Sequence, residues 1–94
     1  LRDIASILRL DPVAVEYQGV RLLIRRPNLC DLVDAHEANA LGALHSRAWA
    51  LWRHAMTADG DPIFGSCQDA TQCPSGLAAF LVPRIEALYS EGVD

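Results

Sequence analysis

Residues 13–25 read VAVEYQGVRLLIR, and this stretch decides the fold. Val13, Val15 and Tyr17 alternate with Ala14 and Glu16, and Val20, Leu22 and Ile24 alternate with Arg21, Leu23 and Arg25. Strict alternation is the period of a half-buried strand. Gln18-Gly19 between the two runs makes a two-residue hairpin turn. That turn pairs Tyr17 with Val20, Val15 with Leu22 and Val13 with Ile24, so all six apolar side chains share one face. On the other face Glu16 meets Arg21, an opposite-charge cross-strand pair. A one-residue slip would turn one strand's apolar set to the wrong side. A lone hairpin is marginal in water, so this one must pack against the rest of the chain.

On its N-terminal side, Leu1, Ile4, Ile7 and Leu8 have helical spacing, and Asp11-Pro12 stops that helix. On its C-terminal side, Asn28 is placed as an N-cap, with Asp31 three residues on in the first turn. Leu29, Leu32, Val33, His36, Ala40, Leu41 and Leu44 trace an apolar helical stripe. A further helical run follows Ser46, with Ala48, Trp49, Leu51, Trp52, Ala55 and Met56. Whether residues 29–57 form one helix or two across Gly42 is left open by the pattern. Asp59-Gly60-Asp61-Pro62 is a loop, and residues 65–72 have room for one helical turn. A last helix over 74–91 opens at Pro74, carries Leu77, Phe80, Leu81, Ile85 and Leu88, and should kink at Pro83. The expectation is an α+β fold in a single domain, 1–94: a short N-terminal helix, the β-hairpin, then two or three helices. The apolar hairpin face is expected against Leu32, Val33, Leu44 and Phe80.

Composition narrows the function by exclusion. The chain has 94 residues, 12 acids, 8 bases (all Arg) and a formal charge of −4. The hydrophobic fraction is 51%, more than a small domain readily hides. No apolar run nears the roughly 20 residues of a membrane helix, so no membrane span is expected. An overall basic footprint for nucleic acid is absent. Residues 1–58 hold seven Arg and six acids, whereas residues 59–94 hold one Arg and six acids. Such complementary halves would favour head-to-tail self-association, so a homo-oligomer is among the expected partners. Cys30, Cys67 and Cys73 are an odd set without metal or redox spacing, expected as buried free thiols in a reducing compartment, with a Cys67–Cys73 disulfide as the alternative.

No constellation for catalysis assembles, and no enzyme, cofactor or metal is expected. His36-Glu37 opens a zinc-helix pattern, but Ala40 stands where the second His is required; His36 is instead expected at the edge of the core. Asp59-Gly60-Asp61 begins like a calcium loop, then fails at Ile63 and Phe64. Two features remain as candidates for a protein interface. Arg21, Arg25 and Arg26 form the only basic cluster, a dock for an acidic partner if they are not paired with Glu16 and Asp31 or Asp34. Trp49 and Trp52 share a helix face, and belong either to the core or to an interface anchor.

The order of EYQGVRLLIRRP at 16–27, DLVDAHEA at 31–38, DGDPIF at 59–64 and LYSEGVD at 88–94 resembles that in the small tail assembly chaperones of long-tailed bacteriophages and prophages. Residues 16–27 match that family's strand pair, and residues 31–38 its following helix. Residues 59–64 and 88–94 match its later segments. Asn28 stands where the family more often has Thr or Ser. The resemblance implies a non-enzymatic protein of the bacterial host cytoplasm. Its implied partner is the tape measure protein, kept soluble until tail tube protein polymerises around it. A structural virion or head–tail connector protein, and a small DNA-binding regulator, are the alternatives.

Overall fold

The computed structural model describes residues 11–90 and Ile4; the expected N-terminal helix otherwise lies outside the described residues. Strands β1 (Val13–Tyr17) and β2 (Val20–Ile24) form the hairpin in the anticipated register, Val13 opposite Ile24 and Tyr17 opposite Val20. Gln18 and Gly19 both take positive φ, 50° and 79°, the backbone of a turn whose twist matches the strands it joins. Helices α1 (Leu29–Ala40) and α2 (Ala43–His54) follow, then β3 (Ala55–Thr57), a single helical turn α3 (Cys67–Ala70), and α4 (Ser75–Ser90). The three strands form one antiparallel sheet with β2 in the middle.

Gly42 resolves the question of one helix or two. Its φ of 109° and ψ of 164° are open essentially only to glycine, and the chain turns there from α1 into α2. The corner is tied by the Ser46 hydroxyl donating to the Asn39 carboxamide oxygen. Helix α2 ends at His54, three residues short of the expected limit. Ala55 and Met56 suit a helix by propensity, but β2 offers them an open edge, and Met56 pairs with Leu23. Helix α4 continues through Pro83, which withholds a helical donor from the Ala79 carbonyl.

Ile24, Ala48, Trp49, Leu51, Ala55, Leu81, Val82 and Ile85 form the buried core, between the sheet and helices α2 and α4. The Tyr17 ring lies 5.0 Å from Phe80, as the sequence implies. Gly76 makes room for it, since a Cβ there would stand 2.9 Å from the Tyr17 hydroxyl. Leu32, Val33 and Leu44 do not face the hairpin; all three are exposed, as is Val20 at the turn. The physical reason lies in α1. Its buried side is made of Asp31, Ala35 and Ala38, and at 100° per residue Leu29, Leu32, Val33, His36 and Ala40 fall on the opposite side. The stripe is real, and it points outward, so His36 is exposed too. The thiols are free but not buried as expected: Cys30 is exposed on α1, and Cys67 and Cys73 are half-buried.

Candidate functional site

A polar hub joins four elements where β2, α1, α2 and α4 meet. Asn28 caps α1: its side chain accepts from the Asp31 N–H at 3.0 Å, and the Asp31 carboxylate accepts from the Asn28 N–H at 3.0 Å. This reciprocal box satisfies two orphan donors of the first turn. The same carboxylate, fully buried, receives a fork from Arg25 at 2.9 and 3.0 Å and a bond from Arg53 Nη2 at 2.8 Å. Burial pushes the Asp31 pKa up. The two guanidinium groups and the Asn28 N–H outweigh it and hold it at about 2. Arg25 is spent entirely inside the chain, because its Nε also donates to the Arg53 carbonyl at 3.0 Å.

His54 completes the hub and is fully buried. Its Nδ1 lies 2.7 Å from the Arg25 carbonyl, which only accepts, so Nδ1 carries the proton. Nε2 then accepts from the Tyr89 hydroxyl at 2.6 Å. Burial is the main reason that the His54 pKa is pushed down and the Tyr89 pKa up. Trp49 meets the His54 ring edge-on at 5.9 Å, and the Arg53 guanidinium carbon lies 5.8 and 5.7 Å from the Trp49 and Trp52 rings. Arg53 Nε is buried with no hydrogen-bond partner among the described residues. With both nitrogens of His54 engaged and Asp31 neutralised by arginine, the hub acts as a clamp between elements.

The interface candidates divide accordingly. Arg21 is exposed opposite Glu16, Arg25 belongs to the hub, and Arg26 donates to the Asp11 carbonyl at 2.9 Å. Trp49 is a core residue and Trp52 is half-buried beside Arg53. The structure therefore does not gather these five into one free patch. What the sequence reading missed is the apolar surface of α1, where Leu29 is 76% and Val33 54% exposed, with Leu41 and Leu44 at the corner beyond. The alanines at positions 35 and 38 were the available signal: small residues at helical spacing mark the side on which α1 packs against its neighbours and leave the leucines outside.

Two clefts adjoin this surface. One, of about 410 Å³, runs from Leu32 and His36 past Trp49 to Tyr89. The other, of about 570 Å³, lies between α2 and α4, with α3 at its end. Arg47 and Glu86 border both. Among the described residues no group of three or more His, Cys, Asp or Glu is placed to hold a metal, and no helix is long and apolar enough to cross a membrane.

No family model and no curated protein matches the sequence. Among solved structures the fold is similar to that of the bacteriophage HK97 tail assembly chaperone. The two superpose with a TM-score of 0.62 over 86% of this chain and 85% of that one, at 16% identity. At that identity the match establishes a shared fold.

Proposed function

We propose that this chain is a tail assembly chaperone of a long-tailed phage or prophage, a non-enzymatic protein of the host cytoplasm. Its partner in this reading is the tape measure protein, and it holds apolar helical stretches of that protein in solution before the tail tube closes around them. The observation that carries the reading is the outward apolar side of α1: Leu29, Leu32 and Val33 are exposed on a helix whose fully buried residues are Asp31 and Ala38. A helix packed by its small residues leaves its large ones for a partner. The shared fold with the HK97 protein and the motif order at 16–38, 59–64 and 88–94 support the same reading.

A chaperone leaves its client when assembly ends. Mass spectrometry of infected-cell lysate and of purified particles is therefore expected to find this chain in the lysate only. Its presence in particles at a fixed copy number would overturn the reading in favour of a virion component.

A further inference from the structure

We infer that the groove between α2 and α4 is the seat for a partner helix, taking about three turns of an amphipathic segment that carries an acidic residue. The inference rests on the chaperone reading for the identity of the partner and on the groove itself for the mode of binding. Its lining carries the small side chains of Ala48, Ala70, Ala78 and Ala79 beside Leu51 and Val82. Small side chains there leave the bulk to be supplied by the incoming chain, and leucine- or phenylalanine-sized groups at i, i+3 or i+4 and i+7 fill such a trough. From Ser75 to Glu86, α4 extends roughly 17 Å at the helical rise, the length of about three turns.

Charge decides the character of the occupant. Arg47 from α2 and Glu86 from α4 both border the groove, and neither forms an ion pair with any described residue. An acid on the partner meets Arg47 and a base meets Glu86, which sets the direction in which the helix lies. Leu44, 72% exposed, stands at the groove edge. Arg47 and Glu86 stand between this groove and the smaller cleft, which reaches Leu32 and His36 on α1.

The test co-expresses the full chain with fragments tiling the tape measure protein and scores co-purification first. If no fragment co-purifies, the chaperone reading falls, and the occupant with it. For a fragment that does, Ala79→Trp fills the groove and is expected to weaken binding by on the order of tenfold or more, whereas Ala79→Ser leaves it unchanged. Arg47→Glu is expected to weaken binding, with recovery when an acid on the fragment is changed to a base. Undiminished binding by a folded Ala79→Trp variant overturns the groove and leaves the chaperone reading standing. Should that variant not fold, a photoreactive benzophenone at position 47 is expected to crosslink the bound fragment. Crosslinking solely from a control benzophenone at position 16 overturns the groove.

Discussion

Replacing Asp31 by Asn keeps the shape of the hub and removes the charge that Arg25 and Arg53 share. The cost can be worked from the titration of the carboxyl. Its pKa lies at about 2 in the folded chain against an ordinary value of 3.8. That depression corresponds to about 2 kcal/mol of stability. The sign is that of a depressed carboxylate: the contribution is complete above pH 3.8 and drains away as pH falls through about 2. The Asn variant also leaves Arg25 half-buried without its anion and Arg53 with only Asp34, 3.5 Å away, which raises the cost at neutral pH to roughly 3 kcal/mol. Urea unfolding of both proteins, followed by tryptophan fluorescence between pH 7 and pH 2, measures the gap. It is expected to be widest at neutral pH and to narrow by about 2 kcal/mol between pH 4 and pH 2. A gap that stays level across that range would refute the argument that the ion cluster, rather than the cap geometry alone, holds α1 to β2 and α2.

Two further outcomes follow from the same contacts, and a third from the corner between α1 and α2. His54 is buried with a lowered pKa, so the unfolded chain takes up its proton first: stability is complete above about pH 6.5 and declines below it. Thermal melts from pH 7.5 to pH 5 should show that decline in the wild type and lose it in His54→Gln; a level wild-type profile would contradict it. Tyr89→Phe strands the Nε2 acceptor and is expected to cost about 1–2 kcal/mol at pH 7.5. Gly42→Ala places a side chain at a φ of 109° and is expected to cost about 1–3 kcal/mol, read as a lower melting temperature. An unshifted melt would mean that the corner relaxes to another backbone conformation.

The hairpin was legible because its register is overdetermined. Six apolar residues, one charge pair and a two-residue turn agree on one pairing, and the structure adopts it. The N-cap at Asn28 was legible for a similar reason, since its chemistry is local. The direction of α1 was not. Leu29, Leu32 and Val33 make the stronger apolar stripe, and a reading that sends the larger hydrophobes inward buries them. Tertiary packing chose the alanine side, because Ala35 and Ala38 allow α1 to lie close against α2 while Asp31 reaches two arginines from distant elements. His54 and Tyr89 are 35 residues apart and share no local pattern, so no spacing rule announces their bond. The strand Ala55–Thr57 was hidden likewise, since its only cause is the free edge of β2.

In the proposed role, the apolar surface left on α1 and beside it keeps another protein's apolar helices in solution. The most direct measurement is the soluble fraction of an aggregation-prone tape measure fragment, quantified after centrifugation with and without this chain at equal expression. A several-fold rise is expected with the wild-type chain and little or none with a doubly substituted Leu32→Glu, Val33→Glu variant whose own melting temperature is unchanged. A soluble fraction that does not respond to the wild-type chain would contradict that role.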